Sequence, residues 1–149
     1  MRTTKIMPPT LMLIAVIAML ALHFLMPLAW IIPPFWNLTG LILIASGLIL
    51  NLSADKAFHT VRTTVKPFEE SSSLVTNGVF RISRNPMYLG FVLILTGIAI
   101  LLRTLSPYLV IVAFVAVIDM TFVRVEEQML AEKFGASWKH YQSAVKRWL

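Results

Sequence analysis

The amino-acid sequence predicts an all-α integral membrane protein, a helical bundle of about four transmembrane helices followed by cytoplasmic amphipathic helices. Of its 149 residues, 58% are hydrophobic and 13% are charged, about half the charged share of an average soluble domain. Three long stretches carry no Asp, Glu, Lys or Arg, and these are residues 6–54, 85–102 and 104–118. Because a span needs about 20 mainly apolar residues, the first stretch has room for two spans and each later stretch for about one.

The first span is predicted over residues 10–32, and the proline pair at 33–34 stops it. It is expected to be a retained span and not a cleaved signal peptide, because the apolar region runs past Leu28 and no clear cleavage site follows. Pro27 has no backbone N–H, so the carbonyl of His23 loses its helical partner and a kink is expected there. His23 itself is interpreted as a polar residue that faces the bundle near this kink.

Spans two and three are predicted to pack closely against other helices. Each carries two glycines seven residues apart, and residues at this spacing share a helix face that a neighbouring helix can approach. These pairs are Gly40 and Gly47 in the span over residues 38–55, and Gly90 and Gly97 in the span over residues 86–102. Either Asn37 or Thr39 is expected to cap the second span.

The remaining segments are a loop, a fourth span and a tail. A polar loop over residues 59–85 separates spans two and three. Span four is predicted over residues 107–123 and begins at Pro107, a favourable first helical residue. Residues 124–149 are amphipathic, with apolar side chains at helical spacing, and Gly135 is expected to divide them into two helices.

The basic residues predict the orientation of the protein. Of the 13 Lys and Arg residues, only Arg103 lies outside three segments, which are residues 1–5, 55–84 and 124–147. Because four spans place these segments on one side, the positive-inside rule assigns them to the cytoplasm. The expected location is the inner (plasma) membrane of a bacterium, with both ends of the chain cytoplasmic. The net charge of +6 then needs no nucleic-acid partner, and the absence of cysteine excludes thiolate catalysis and Cys-ligated metals; no metal site is expected.

The start of span three has the features of an anion site. Asn85 is a good N-cap and Pro86 a good first helical residue, so free N–H groups and the positive end of the helix dipole face the cytoplasmic interface. Arg84 adds a fixed positive charge, and the combination suits an anionic group such as a carboxylate. The alternative interpretation is a well-capped helix with an arginine that extends to the interface.

Two adjacent carboxylates, Glu126 and Glu127, stand where span four leaves the membrane. They are suited to a cation, and the alternative is a solvated helix face. Because spans three and four form a hairpin, the anion site and these carboxylates lie on the same side and flank one pocket. Such a pocket fits a zwitterionic cofactor that carries an additional cationic centre.

Two motifs carry a resemblance to a known family. Residues 84–90, Arg-Asn-Pro-Met-Tyr-Leu-Gly, resemble the Arg-His-Pro-x-Tyr-x-Gly motif of isoprenylcysteine carboxyl methyltransferases. The Glu126–Glu127 pair, followed by Phe134, Gly135 and Tyr141, resembles their C-terminal signature, and membrane phospholipid N-methyltransferases share the pair and the overall plan. The resemblance covers about residues 62–149. It implies an S-adenosylmethionine-dependent methyltransferase built from membrane helices, which acts on a lipid or lipophilic small-molecule acceptor within the lipid bilayer.

The same resemblance implies a cofactor site for S-adenosyl-L-methionine that includes the loop over residues 59–85. The residues assigned to it are Leu74, Val75, Phe80, Arg84, Asn85, Pro86, Met87, Tyr88, Glu126, Glu127 and Tyr141. Trp138 is expected to help Tyr141 close the pocket from the tail. Where the family has histidine this chain has Asn85, which does not titrate near neutrality, so general-base catalysis from that position is not expected.

Asp119 and Arg124 are the candidates for contact with the methyl acceptor. In the prenylcysteine enzymes an arginine one turn before the cofactor glutamate contacts the substrate carboxylate; here Arg124 is near but off that register. Asp119 lies in the last turns of span four, where ionisable residues are functional candidates, and the seven-residue spacing places it on the face of Glu126. A carboxylate there favours an amine or other cationic acceptor; the alternative is a structural partner for Arg103, Arg124 or a backbone group.

Two other functions are compatible with the sequence. One is a membrane reductase related to sterol reductases, which share a comparable C-terminal helical plan. The other is a non-enzymatic membrane scaffold that keeps the motifs for structural reasons. Binding of S-adenosylmethionine distinguishes the methyltransferase from both.

Overall fold

The computed structural model describes residues 6–61 and 72–149, and the regular structure of these residues is helical. Its five α-helices are α1 (Pro8–Leu25), α2 (Gly40–Thr60), α3 (Pro86–Leu102), α4 (Ser106–Ile118) and α5 (Arg124–Ala144). Short 3₁₀ turns, Trp36–Thr39 and Gly78–Arg81, precede α2 and α3, and a π-helical turn, Asp119–Val123, joins α4 to α5. Part of the predicted polar loop, with Arg62 and Lys66, lies outside the described residues, as do Arg2 and Lys5.

Three helical segments are long and apolar enough to cross a membrane, and these are Pro8–Leu25, Trp36–Thr60 and Ser106–Ala144. α3 is also apolar but has only 17 residues, so it is about 25 Å long at about 1.5 Å per residue. Many large apolar side chains of α1 and α2 are exposed, as expected where the surrounding solvent is lipid. The predicted all-α membrane fold class is confirmed.

α2 and α3 pack antiparallel through the predicted glycine pairs. A Cβ atom on Gly47 would lie 2.5 Å from the carbonyl oxygen of Gly90, and a Cβ atom on Gly40 would meet the carbonyl oxygen of Gly97 in the same way. Helices whose backbones approach this closely have no room for larger side chains at the contact. The close packing fixes the height of α3, which carries the first predicted motif, relative to α2.

α1 ends earlier than the sequence predicted. It stops at Leu25, after which the amide of Met26 donates to the carbonyl of Leu22 at 2.9 Å. Pro27 disfavours a helical conformation in the residue before it, and Met26 adopts φ −151° and ψ 71°. The prediction of a kinked helix that continues to residue 32 was therefore wrong, because the proline ends the helix.

The start of α2 is not capped as predicted. Thr39 precedes the helix, but its hydroxyl donates back to the carbonyl of Trp36 at 2.6 Å, and no side chain caps the helix. The 3₁₀ turn brings that carbonyl within reach of the hydroxyl. The expectation of a cap from Asn37 or Thr39 was wrong.

The end of α1 packs against the connection between α3 and α4. The hydroxyl of Thr104 lies 2.9 Å from Nδ1 of His23, so this histidine faces the bundle as predicted. Trp30 forms an isolated antiparallel bridge with Thr104. Arg103 lies over the Trp30 ring at 5.3 Å and donates from Nε to the carbonyl of Ile32 at 3.0 Å. These contacts stabilise the end of the bundle opposite to the predicted site.

α4, the π turn and α5 follow one another as a single helical segment with a break near its end. Gly135 has φ 50° and ψ −114°, a conformation that glycine adopts readily, and it interrupts the helix where the sequence predicted. After Ala144 the chain becomes extended at Val145. Residues 145–149, called the strap below, pack against the start of α3, where the amide of Arg84 donates to the carbonyl of Lys146 at 3.0 Å.

Candidate active site

The polar loop and α5 pack together through an apolar cluster beside the end of α2. Its buried members are Ala54, Val75, Phe80, Trp138 and Tyr141, and the side chains packed against them include Leu74 and Met87. The Tyr141 hydroxyl donates to the carbonyl of Phe80 at 2.6 Å. Burial raises the pKa of Tyr141 to about 12, so the phenol stays protonated and keeps this bond at neutral pH. The structure thus brings together the apolar loop residues and the tail residues that the resemblance assigned to one pocket.

An open cleft of about 750 Å³ lies between this loop and the tail. Its lining includes Leu74, Asn77 and Arg81 from the loop, and His140 and Tyr141 from α5. Val145 of the strap also contributes to the wall. Small-molecule sites in proteins usually occupy about 300–1,000 Å³, so the cleft has the size of a cofactor or ligand site.

A cluster of charged side chains lies where the strap meets the start of α3. Arg84 Nη2 is 3.3 Å from Glu127 Oε1, and both side chains are only 8% exposed. Arg147 Nη2 lies 2.7 Å from Glu127 Oε2, and Arg147 Nη1 lies 3.4 Å from Asp119 Oδ1. Because buried charges are tolerated only when they are paired and hydrogen-bonded, these contacts fix the orientation of Glu127.

Arg84 retains unused hydrogen-bonding capacity. Within residues 6–61 and 72–149, its Nε and Nη1 atoms are buried and have no hydrogen-bond partner. Its guanidinium lies 5.6 Å from the centre of the Trp138 ring. A buried donor without a partner costs about 1–3 kcal/mol, and more when it is charged. Arg84 is therefore suited to bind an anionic group.

Asn85 stands at the predicted N-cap position of α3, but its side chain makes no capping hydrogen bond. Its Nδ2 instead donates to the carbonyl of Arg147 at 3.2 Å and lies 3.5 Å from Glu127 Oε1. The prediction was right about the position and wrong about the bond, because a capping side chain accepts through Oδ1, whereas the hydrogen bond that Nδ2 donates to the strap orients this side chain. Pro86 follows as the first residue of the helix and is buried.

Glu126 has a different environment from its neighbour. The Tyr88 hydroxyl donates to Glu126 Oε1 at 2.6 Å, and the described residues provide no cationic partner for this carboxylate. Glu126 lies just beyond the apolar part of the helical segment, which ends at Val123. Burial raises its pKa to about 7, although the hydrogen bond from Tyr88 acts in the opposite direction. A desolvated carboxylate without a counter-ion is suited to bind a cation.

The π-helical turn changes which acidic residues share a helix face. It widens one turn of the helix by about one residue, so Asp119 comes into register with Glu127 and both contact Arg147. The prediction that Asp119 and Glu126 share a face was therefore wrong. Asp119 Oδ2 also lies 2.7 Å from Nε of Arg124, whose side chain is 64% exposed. Both acceptor candidates thus lie in one ion-pair network at this end of the bundle.

Arg147 is the residue at this site that sequence reasoning missed. The sequence shows it only as one of the basic residues of the tail. Its contacts depend on the strap turning back to α3 after Val145, and neither helical periodicity nor a family motif indicates that turn. Its carbonyl also accepts a hydrogen bond from Ser83 at 3.0 Å.

Comparison with known proteins identifies relatives over the part of the chain that forms this site. The family model described as phospholipid methyltransferase matches residues 35–137. Protein-S-isoprenylcysteine O-methyltransferase A of Arabidopsis thaliana is 32% identical over 114 residues, which are 71% of this chain and 55% of that protein. Protein-S-isoprenylcysteine O-methyltransferase of Saccharomyces cerevisiae is 40% identical over 93 residues, which are 60% of this chain and 38% of that protein. The chain thus spans about half or less of these relatives, and no solved structure matches it significantly.

Proposed function

Because the chain belongs to the phospholipid methyltransferase family, we propose that it transfers a methyl group from S-adenosylmethionine to a lipid-like acceptor at the membrane interface. The observation that carries this proposal is a pair of incompletely satisfied charged groups at the same end of the bundle. Among the described residues, the Nε and Nη1 atoms of Arg84 are buried without a partner, and Glu126 has no cationic partner. An amino-acid moiety with a carboxylate and an ammonium group complements both.

The residues fit this cofactor in three places. Arg84 would bind its carboxylate, since the guanidinium has free donors in a buried position. Glu126 would bind its cationic or hydroxyl-bearing part, since the carboxylate has only Tyr88 as a partner in the described residues. The cleft lined by Leu74 and Tyr141 has a volume of about 750 Å³, which is sufficient for a nucleoside.

The protein's contribution to the reaction is alignment and exclusion of water. When bound, S-adenosylmethionine supplies an electrophilic methyl group, and the carbon–sulfur bond breaks with its electrons passing to sulfur as the acceptor forms its bond to carbon. Asn85 cannot act as a base near neutrality. The buried side chains of Phe80, Trp138 and Tyr141 keep water from the loop side of the site.

The acceptor would reach the site from the bilayer. The named relatives are methyltransferases of protein-S-isoprenylcysteine, and the family model carries the name of phospholipids, so carboxylates and amines are both candidates. We place Asp119 and Arg124 near the acceptor. Because Asp119 is paired with two arginines, its charge alone favours a cationic acceptor less strongly than the sequence suggested.

The proposed orientation places the site and both ends of the chain in the cytoplasm, in the inner (plasma) membrane of a bacterium. Among the described residues, the site end of the bundle carries Arg81 and Arg84 of the loop and Arg124 and Arg147 of the tail, and Arg103 lies at the opposite end. This distribution supports the orientation through the positive-inside rule.

The test uses purified full-length protein in lipid nanodiscs. Calorimetry should detect S-adenosylmethionine binding, and a tritiated methyl group should enter the lipid fraction when a lipid extract is added. A membrane reductase would bind a reduced nicotinamide cofactor instead, and a scaffold would bind neither. Mass spectrometry of the lipids that become labelled only with wild-type protein would identify the acceptor class.

A further inference from the structure

Two arginines, Arg84 and Arg147, contact the carboxylate of Glu127. The contacts from Arg147 are the closer ones, with Nη2 at 2.7 Å and Nε at 3.2 Å from Oε2. The contact from Arg84 uses Nη2 alone, at 3.3 Å from Oε1. The position of the carboxylate is therefore determined mainly by the arginine of the strap.

This arrangement leaves Arg84 with hydrogen-bond donors that Glu127 does not use. A buried guanidinium beside a carboxylate normally forms two parallel hydrogen bonds with it, but here Nε and Nη1 of Arg84 have no partner in the described part of the chain. Without Arg147, Glu127 would be free to turn toward Arg84 and to use its donors. With Arg147 in place, the contact between Arg84 and Glu127 is limited to one hydrogen bond from Nη2 at 3.3 Å.

Arg147 is also held in place from several sides. Its carbonyl accepts from Ser83 at 3.0 Å and from Asn85 Nδ2 at 3.2 Å. Its Nη1 reaches Asp119 at 3.4 Å. Arginine suits this role because its planar group bridges two carboxylates, whereas lysine offers a single point charge.

We propose that Arg147 is a positioning residue that limits Glu127 to a single contact with Arg84 and so keeps the other Arg84 donors, Nε and Nη1, available for the carboxylate of the methyl donor. The proposal rests on the proposed function for the identity of that carboxylate. Arg147 acts through Glu127 and Arg84 and contacts neither reacting atom.

The experiment compares two methyl donors that differ in the relevant group. S-adenosylmethionine carries the carboxylate, and decarboxylated S-adenosylmethionine lacks it. Wild-type protein in nanodiscs should bind the first at least tenfold more tightly by calorimetry. In Arg147→Gln this preference should fall below about threefold, because affinity for the carboxylate-bearing donor decreases while affinity for the decarboxylated donor is retained. Arg147→Lys should recover only part of the preference.

Lys146→Gln is the matched control, since it removes one positive charge from an exposed side chain of the same strap. It should keep the wild-type preference. Hydrogen exchange provides a second readout that needs no donor. The amide of Arg84 donates to the carbonyl of Lys146, so it should exchange faster in Arg147→Gln than in the control.

Several results would overturn the proposal. One is an unchanged preference in Arg147→Gln. Another is an equal loss of affinity for both donors, which is the result expected of a purely structural residue. Full recovery in Arg147→Lys would exclude the bridging role. If the wild type binds neither donor, the proposed function fails, while the exchange of the Arg84 amide still decides whether Arg147 holds the strap.

Discussion

Replacing the two adjacent glutamates by glutamine, one at a time, should affect different properties. Glu126→Gln should weaken donor binding, and Glu127→Gln should lower stability. Glu126→Gln removes a carboxylate that has Tyr88 as its partner and no counter-ion in the described residues. Loss of one charge-assisted hydrogen bond costs about 1.5–3 kcal/mol, so S-adenosylmethionine affinity should fall about 10- to 150-fold. Glu127→Gln leaves Arg84 and Arg147 without their shared carboxylate, and breaking a buried ion pair on one side costs about 3–5 kcal/mol of stability.

The two variants are distinguished by measuring both affinity and thermal stability in the same nanodiscs. Glu126→Gln should bind the donor weakly and unfold no earlier than the wild type. Burial raises the pKa of Glu126 from 4.5 to about 7, so ionisation of this residue destabilises the folded wild type as the pH rises. The variant has no group to ionise here. Its stability relative to the wild type should therefore increase from about pH 5 to pH 8. Glu127→Gln should unfold at a lower temperature. Wild-type donor affinity in Glu126→Gln, or equal loss of stability in both variants, would refute the division of roles.

Four further predictions concern membrane topology, the methyl acceptor, helix packing and the pH dependence of donor binding. Reporter fusions at Thr104 and Leu149 should give opposite compartment signals, and equal signals would contradict the four-span topology. Asp119→Asn should change S-adenosylmethionine affinity by less than about threefold and lower turnover with the lipid acceptor at least tenfold, about 1.4 kcal/mol; full turnover in the folded variant would exclude a role at the acceptor. Gly47→Ala should destabilise the bundle by about 1–3 kcal/mol, because its Cβ would lie 2.5 Å from a carbonyl oxygen of α3; an unchanged unfolding temperature would contradict this packing. Donor affinity should increase as the pH rises through about 7, where Glu126 ionises, and this dependence should be absent in Glu126→Gln.

Much of the architecture could be predicted from the sequence because it depends on local composition. Uncharged apolar stretches predicted the membrane helices, and the glycine pairs predicted that α2 and α3 each pack closely against another helix. The structure shows that they pack against each other. The end of α1 could not be predicted in the same way. A proline either bends or ends a transmembrane helix. Here the helix ends, and the residues that follow pair with the connection between α3 and α4 through Trp30 and Thr104, a tertiary contact that the sequence does not indicate.

The sequence predicted most residues of the candidate site, but it did not predict which of them contact one another. The motifs identified Arg84, Asn85 and both glutamates, which the structure places at the same end of the bundle. The sequence could not indicate that the strap turns back after Val145 and brings Arg147 to them. That turn is determined by hydrogen bonds from the α3 start to strap carbonyls, and these bonds join residues about sixty positions apart.

The π-helical turn explains why two adjacent glutamates have different environments. One additional residue in a turn rotates every following side chain by about 100° around the helix axis. With that rotation Glu126 faces Tyr88 on α3, and Glu127 comes into register with Asp119 beneath Arg147. In a regular α-helix Asp119 would instead share its face with Glu126, and that carboxylate would face the strap arginine. The turn therefore separates Glu127, which holds the strap and the start of α3 together, from Glu126, which has no cationic partner among the described residues and remains suited to bind a cation.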